Sequence, residues 1–377
     1  MWLNPLDGIL ASENITISSL KYNSSTDGLN ITDWPNLVES IIPNIYENTL
    51  HATTVAVNSD ANGLLSMSRS KRSIPEIIYP EILVIVDNVL NERIGGSIRD
   101  KLLYLLAFWN GVDMRYRSLE NPRIRLNIAR IVLAEDRLPY VTVDLKSNYF
   151  LMNHVTSLRA QGNWLFKMNE TIPLDSYDLA VTMIPNLFCE DKIGPNCTVV
   201  GQAFLHGACK ILFVNKTTNK ASFIRDVGGF DGIQTAAHEL GHLFGMFHDG
   251  LYGCNDSHGY IMASSDKFTP QSFDWSNCSL GQMDKYLKDG LGSCMFNSPI
   301  YQSKPFLRYL PGKLMNATQQ CTMFVNGSAT VEDDTICTQL KCSKKGEIRL
   351  PEAAEGTPCG VEKLCLHGLC TEESSID

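Results

Sequence analysis

The stretch HELGHLFGMFHD, residues 238–249, constrains the fold of this chain more than any other feature. His238 and His242 are four residues apart, so on an α-helix their imidazoles lie on one face, about one turn apart. Two neutral imidazoles at that spacing can occupy two corners of a zinc tetrahedron. Glu239 projects beside them, where a carboxylate that is not a ligand can accept a proton from a water molecule activated by zinc.

The residues that follow complete a possible metal site. Gly245 can end the helix, because glycine enters the left-handed conformation that other side chains resist. The chain can then turn and bring His248 back as a third ligand, which leaves a fourth position for water or substrate. A lone pair of histidines is more often part of an ordinary helix. Six defined positions within residues 238–249 are not explained in that way, and they predict a catalytic zinc site.

This stretch resembles the signature of the metzincin metallopeptidases. The resemblance implies a methionine turn beneath the metal, and Tyr260-Ile261-Met262-Ala263 follows at a suitable distance, with Met262 as the base of the site. Asp249, directly after the third histidine, resembles the adamalysin or reprolysin branch, which includes the ADAM and ADAMTS proteins. The phrases YPEILVIVD at 79–87 and HGYIM at 258–262 look closest to secreted salivary metalloproteases of ticks.

Composition sets further bounds on the chain. With 377 residues, 44% of them hydrophobic, it can form two or three domains with a sizeable core. The net charge of −9 argues against nucleic acid or an anionic membrane as the main partner, and no apolar run is long enough for a membrane span. Twelve cysteines and ten Asn-x-Ser/Thr sequons predict a secreted, extracellular glycoprotein. The sequons begin at Asn14, Asn23, Asn30, Asn169, Asn196, Asn215, Asn255, Asn277, Asn316 and Asn326.

Residues 1–72 are predicted to be a propeptide. They are rich in Asn, Ser and Thr, contain no cysteine, and end in Arg69-Ser70-Lys71-Arg72, which resembles a furin-type processing site although such clusters are often solvated loops. No signal peptide is recognisable, so we expect a missing first segment. The first cysteine is Cys189, so latency through a propeptide cysteine is absent here. A propeptide aspartate or an upstream segment remain as alternatives for a zymogen.

Hydrophobic patterns predict an α/β (α+β) fold for a catalytic domain at 73–298. Strands are predicted at 81–86, 124–128 (half-buried) and 179–184, and helices at 97–109 and 150–166. Ser279-x-x-Gln282 resembles a capping box that opens a last helix. The family resemblance implies a twisted mixed sheet with helices, including a zinc helix and a Met-turn, and a substrate-binding edge strand at 201–209. His206 within that segment is interpreted as a surface residue.

The cysteines divide into two even sets, six before Ser298 and six after it. The resemblance implies that Cys209 pairs with Cys294 and Cys254 with Cys278, and Cys189 would then pair with Cys197. Residues 299–310 are predicted to be a linker. Residues 311–377 resemble the small cysteine-rich module of ADAMTS-like proteins, with a generic disulfide-stapled tail as the alternative. Disulfides are favoured over thiolate zinc ligands there, because the compartment is oxidising.

The sequence thus predicts a secreted zinc metalloendopeptidase. One Zn²⁺ would be held by His238, His242 and His248, with Glu239 as general base and Asp249 as a structural group that orients the third-ligand loop. Calcium is possible, but nothing in the sequence requires it. The expected substrates are extended polypeptides of extracellular-matrix or plasma proteins. Two alternatives remain: a catalytically silent protein that binds through its cysteine-rich module, and a structural zinc domain with Asp249 as fourth ligand.

Overall fold

The computed structural model describes residues 16–23, 28–34, 73–141, 143–144, 151–186, 188–189, 199–265, 267, 269–298, 309–331, 333–344, 346–349 and 352–375. The predicted processing site at Arg69, Lys71 and Arg72 lies outside the described residues, as does most of the predicted linker. The predicted pairing of Cys189 with Cys197 also falls outside what is described. Within the described residues, every helix is too short or too polar to cross a membrane.

The described secondary structure is a mixture of strands and helices. The strands are β1 (Thr16–Asn23), β2 (Gly28–Trp34), β3 (Ile77–Ile78), β4 (Glu81–Val86), β5 (Arg123–Ile124), β6 (Asn127–Ala134), β7 (Val143–Asp144), β8 (Leu151–Asn153), β9 (Leu179–Ile184), β10 (Phe188–Cys189), β11 (Gly201–Ala203), β12 (Ile211–Leu212), β13 (Thr217–Thr218), β14 (Ala221–Arg225), β15 (Ser328–Ala329), β16 (Lys341–Ser343), β17 (Glu347–Arg349), β18 (Pro358–Gly360), β19 (Lys363–Leu366) and β20 (Leu369–Glu372). The α-helices are α1 (Asn88–Ile94), α2 (Ile98–Tyr116), α3 (His154–Lys167), α4 (Ile233–Leu243), α5 (Asn277–Lys288), α6 (Pro311–Leu314) and α7 (Ala317–Val325). Short 3₁₀ helices cover Met168–Glu170, Asp256–His258, Pro270–Phe273, Ser293–Phe296, Asp334–Cys337 and Glu373–Ser375.

A seven-stranded mixed sheet organises the region that the sequence predicts to be catalytic, called the catalytic region below, in the order β11-β14-β9-β4-β6-β1-β2. The inner neighbours from β14 to β1 run parallel, whereas β11 and β2 lie antiparallel at the two edges. Alternate residues of β4 enter two separate hydrophobic cores on the two faces of the sheet. Ile82 and Val84 belong to the first core, and Leu83 and Ile85 belong to the second core. Both faces of the sheet are therefore covered, and the predicted α/β class with a mixed sheet is confirmed.

The predicted half-buried strand at 124–128 is confirmed in the burial of Ile124, Leu126 and Ile128, but it is wrong in its continuity and in the exposure of Asn127, which is buried as well. The structure divides this region into β5 and the longer β6, and β6 is buried on both faces. Ile131 and Leu133 enter the first core, while Val132 and Ala134 enter the second. The alternation of Arg125 and Asn127 with apolar residues predicts a solvent-facing side, but packing layers cover both faces of a parallel strand in the middle of such a sheet.

The last helix of the catalytic region begins earlier than the predicted capping box. Ser276 is the N-cap of α5, and its hydroxyl accepts a hydrogen bond from the Ser279 amide at 3.1 Å. The Gln282 side chain instead accepts from the Phe247 amide at 2.7 Å. Ser276, Asn277 and Ser279 are all residue types that commonly cap a helix N-terminus, so the local sequence does not distinguish them and tertiary contacts select the cap.

The N-terminal segment that the sequence predicts as a propeptide contributes β1 and β2 to the main sheet. β1 pairs with β6, from Thr16 opposite Arg130 to Leu20 opposite Ala134. β2 continues from β1 as an antiparallel hairpin strand. Leu20 is buried in the second core beside Leu83 and Val132.

Five disulfides are described. Cys209 is bonded to Cys294 and Cys254 to Cys278 in the catalytic region. The C-terminal module is held by three further bridges, Cys321–Cys342, Cys337–Cys365 and Cys359–Cys370. Its small core includes five of these six half-cystines together with Ile336 and Leu340.

The C-terminal module packs against the catalytic region through a buried ion cluster. Arg115, at the end of α2, bonds with Glu352 and Glu355 of the module. The Arg115 guanidinium lies over the Phe273 ring at 4.2 Å from its centroid, and its Nε donates to Gln234 of α4 at 3.3 Å. The module is therefore joined to the base of the helix that carries His238 and His242.

Candidate active site

Helix α4 carries the first two histidines because its apolar and polar residues separate onto two faces. Ile233, Ala236, Ala237 and Leu240 are buried in the first core, a spacing that follows the helical repeat. The Tyr116 hydroxyl of α2 donates to the Ala237 carbonyl at 2.8 Å and secures this face. The histidines are displayed on the other side, where both are only partly buried.

The three histidines meet through their Nε2 atoms. His238 Nε2 lies 3.1 Å from His242 Nε2 and 3.0 Å from His248 Nε2. The Nε2 atoms of His242 and His248 are 3.1 Å apart. The Nδ1 atoms of His238 and His242 lie 2.7 and 2.8 Å from the Ile261 and Met246 carbonyls. A carbonyl can only accept, so each Nδ1 carries the proton and each Nε2 presents a lone pair. Lone pairs facing one another at this distance need a cation between them.

The donor set fits zinc. Zn–N distances of about 2.0–2.1 Å in a tetrahedron place nitrogens about 3.3 Å apart, close to the separations observed here. Burial and the neighbouring imidazoles hold the pKa of His238 well below its usual range, and burial lowers that of His242 to about 4. Neutral imidazoles are the form that binds metal. Within the described residues, the group that could hold an ion at this point consists of these three histidines. No carboxylate or thiolate joins them as a fourth ligand.

The turn after α4 needs a glycine for two reasons. Gly245 has a φ of 90°, and a Cβ at this position would lie 2.6 Å from Cδ2 of His206. His206 stacks on Tyr286 with ring centroids 5.7 Å apart, and its amide donates to the His242 carbonyl at 3.0 Å. His206 therefore packs behind the turn and lies outside the histidine group.

Asp249 and Met262 join the third-ligand loop to the turn beneath the helix. The Asp249 amide donates to the Met262 carbonyl at 2.9 Å, and the Asp249 carboxylate accepts from the Ser276 hydroxyl at 2.6 Å. Met262 is fully buried, and its sulfur would lie 2.6 Å from a Cβ on Gly241 of α4. The methionine thus packs directly against the zinc helix, and glycine at 241 permits this close approach.

Glu239 lies beside the histidines and faces the edge strand β11. Its side chain is 5% exposed, and its Oε2 atom has no hydrogen-bond partner among the described residues. Burial raises the pKa of Glu239 well above its usual range. A Cβ on Gly201 would lie only 2.4 Å from Glu239 Oε1, so the missing side chain of Gly201 provides the space that the carboxylate occupies.

We predict that Gly201→Ala lowers kcat/KM for peptide cleavage by about 10²-fold, since a displacement of about 1 Å at a reacting group can cost that much. The measurement is steady-state cleavage of a quenched peptide, with zinc content determined in parallel. Gly281→Ala in α5 is a matched control, because a Cβ there meets nothing within 4 Å. Wild-type kcat/KM in a folded Gly201→Ala variant would contradict the role assigned to this contact.

Sequence reasoning missed two residues of this site, Gly201 and Ser276. Gly201 was identified only as part of an edge strand, and its approach to Glu239 crosses 38 positions of the chain. Ser276 meets Asp249 across 27 positions. Neither contact leaves a local signature, because glycine and serine are both common in loops and at strand ends.

Comparison with known families gives two matches in this chain. Residues 187–299 match the Reprolysin (M12B) family zinc metalloprotease model, and residues 311–371 match ADAMTS cysteine-rich domain 2. The first region includes all three histidines and Glu239, and the second includes the three C-terminal disulfides.

Curated relatives cover most of the chain. It is 36% identical over 329 residues to "A disintegrin and metalloproteinase with thrombospondin motifs like" of Bombyx mori, covering 82% of this chain and 47% of that protein. It is 28% identical to "A disintegrin and metalloproteinase with thrombospondin motifs 12" of Mus musculus, covering 81% of this chain and 19% of that protein. It is 30% identical to "Venom metalloproteinase 3" of Eulophus pennicornis, over 58% of this chain and 52% of that protein.

The chain spans about half the length of the insect relatives and about a fifth of the mouse protein. The matches to the two ADAMTS-type relatives each cover more than four fifths of this chain. From these matches, the chain belongs to the reprolysin family of zinc metalloproteases, in its ADAM/ADAMTS-type branch.

Proposed function

We propose that this protein is a secreted zinc metalloendopeptidase that cleaves extended segments of extracellular proteins. The observation that carries the proposal is the meeting of three histidine Nε2 atoms, each within 3.1 Å of the other two, beside the carboxylate of Glu239. In this proposal His238, His242 and His248 hold one zinc ion, and the fourth position is open to water or substrate.

When bound, zinc lowers the pKa of a water molecule and polarises the scissile carbonyl. Glu239 accepts the proton of the attacking water and delivers it to the leaving amine. Its buried position favours taking up the proton, because burial raises the pKa of the carboxyl. The unpartnered Oε2 atom leaves one oxygen available for the proton.

The edge strand β11 supplies a surface for the substrate backbone. It is the first strand in the sheet order, antiparallel to β14, and Gly201 lies against Glu239. An extended polypeptide can add to such an edge through main-chain hydrogen bonds, which are independent of its sequence. Side-chain pockets then select the bond that is cut. This geometry supports extended polypeptides as the substrate class, and we propose that they belong to extracellular-matrix or plasma proteins.

The remaining assignments complete the proposal. Residues 1–72 are a propeptide, 73–298 the catalytic domain, 299–310 a linker and 311–377 the cysteine-rich module. Asp249 orients the third-ligand loop through its hydrogen bond with Ser276. The Asp249 carboxylate is absent from the group of possible ligand atoms around the three histidines, which argues against a structural zinc domain. A catalytically silent binding protein would not require a carboxylate at position 239, so the presence of Glu239 argues against that alternative.

Removal of zinc is the direct test of the activity. We expect the chain, once it has been cut after Arg72, to cleave a denatured protein and members of a quenched peptide library. A chelator should abolish this cleavage, and restoring about one equivalent of zinc should recover it. Cleavage that survives complete removal of the metal would overturn the proposal. A folded, zinc-loaded chain without any cleavage would favour the silent binding protein, and a substitution at the exposed Val361 of the module would then test binding.

A further inference from the structure

The N-terminal hairpin β1–β2 is bonded into the main sheet at a defined register. Five residues of β1, Thr16 to Leu20, lie opposite Arg130 to Ala134 of β6 in a parallel ladder. Beyond the ladder, the Glu135 amide donates to the Leu20 carbonyl at 3.0 Å. The pairing of β1 with β2 adds seven residue pairs, so the hairpin is a continuous two-strand extension of the sheet.

Side chains of β1 also enter the protein interior. Leu20 is 2% exposed and belongs to the core that contains Leu83, Ile85 and Val132. Ser18 and Ser19 are buried as well, and Arg130 donates to the Ser18 hydroxyl at 3.3 Å. The hairpin therefore supplies both main-chain partners and apolar packing to the catalytic sheet.

Strand β6 would make a poor sheet edge on its own. Its last four residues, Ile131 to Ala134, are apolar and buried on both faces, so an unpaired edge here would offer a template for aggregation. The outermost strand β2, with the sequence GLNITDW, is more polar and contains the sequon Asn30-Ile31-Thr32. Charged residues in an edge strand oppose pairing with other strands, and the sequence of β2 contains one, Asp33. The hairpin thus replaces an apolar edge by a polar one.

The hairpin lies far from the candidate active site. In the sheet order, β1 is five strand spacings from β11, which is about 24 Å. Its presence leaves the edge beside Glu239 free for an extended substrate. Nothing in this arrangement requires the hairpin to leave before a substrate binds.

We propose that residues 16–34 stay in the sheet after the chain is cut between residues 35 and 72, so that the processed protein consists of two segments held together without a covalent bond. Residues 1–72 contain no cysteine, so a disulfide cannot hold them. This inference is independent of the peptidase activity, because it concerns the opposite edge of the sheet.

The test uses limited trypsin digestion of the full chain. Between residues 35 and 72 the trypsin sites are Arg69, Lys71 and Arg72, and mass spectrometry confirms cleavage there. We expect the peptide containing 16–34 to elute with the folded body in size-exclusion chromatography at about one to one and to separate in denaturant. Hydrogen exchange of the Glu135 amide should remain slow after the cut. Elution of the peptide apart from a folded body, or rapid exchange at Glu135, would overturn the proposal.

A substitution at the buried contact makes the test specific. Leu20→Asp should lower the amount of peptide retained after the cut by at least about 10-fold, since a charge cannot remain in that core. Val361→Asp is the matched control, because Val361 is 89% exposed and should leave retention unchanged. Full retention by a folded Leu20→Asp chain would count against the proposal. If that variant does not fold, exchange at Glu135 in the cut wild-type chain decides the question.

Discussion

Glu239→Gln will lower kcat/KM for peptide cleavage by about 10²–10⁴-fold, the usual contribution of a positioned general base. Glutamine has nearly the same shape as glutamate, so it fits the space left by Gly201, but its amide cannot accept the proton of the attacking water. The three histidines are unchanged, and we therefore expect the variant to bind one equivalent of zinc. Cleavage assays and metal analysis on the same sample separate these two effects.

The control for this prediction is a glutamate outside the site. Glu170 is exposed at the end of a 3₁₀ helix, and Glu170→Gln should leave kcat/KM unchanged. Wild-type cleavage by a zinc-loaded Glu239→Gln protein would show that another group takes the proton. Loss of zinc together with loss of cleavage would instead indicate that Glu239 supports the metal site itself.

Arg115→Met will lower the free energy of unfolding by about 3–5 kcal/mol, the typical cost of breaking a buried ion pair by removing one partner. The Arg115 and Glu355 side chains are 1% and 2% exposed, so the remaining carboxylates would be left with poor solvation. At about 2–4 °C for each kcal/mol, the midpoint of thermal unfolding should fall by about 10 °C. Calorimetry of the full chain measures both quantities.

An exposed ion pair provides the matched control. Lys285 and Asp289 are 76% and 49% exposed and lie one turn apart on α5, so Lys285→Met should change stability by less than about 1 kcal/mol. Replacing Glu352 and Glu355 by leucine in the Arg115→Met background should recover much of the loss, because the charges left without a partner are then removed. Equal effects of Arg115→Met and Lys285→Met would contradict the role of the buried cluster.

The buried cluster also affects how the module can be studied. Deletion of residues 299–377 removes both carboxylates that bond with Arg115 and exposes Phe273, which packs beneath the guanidinium. Lost activity after such a deletion would therefore reflect damage to the support of α4 as well as the loss of a binding surface. Single substitutions at exposed module residues, such as Val361 and Leu369, avoid this ambiguity.

Local sequence patterns predicted those features of the site that depend on residues close together in the chain. The spacing of His238 and His242 depends only on the helical repeat, and the conformational freedom of glycine was enough to predict the turn at Gly245, although His206 also packs closely there. Glu239 falls beside the histidines for the same reason. The family resemblance extended these signals to the mixed sheet and to the Met-turn, because such a motif occurs within one fold.

Contacts between distant segments were decided only by the tertiary structure. Residues 124–128 read as one half-buried strand, yet the fold divides them between β5 and β6 and buries Asn127. The N-terminal hairpin carries no pattern that indicates its partner, since a parallel strand can pair with any apolar edge that the fold leaves open.

The same division holds inside the site and between the domains. The sequence predicted the three histidines that meet in the structure, the carboxylate beside them and the proposed class of chemistry, because residues within one helix and its turn carry them. The tertiary structure decided that Gly201 makes room for Glu239, that Ser276 bonds with Asp249, and that the module neutralises Arg115. These contacts join residues far apart in the chain, and their energies come from burial and charge pairing that exist only after the chain has folded.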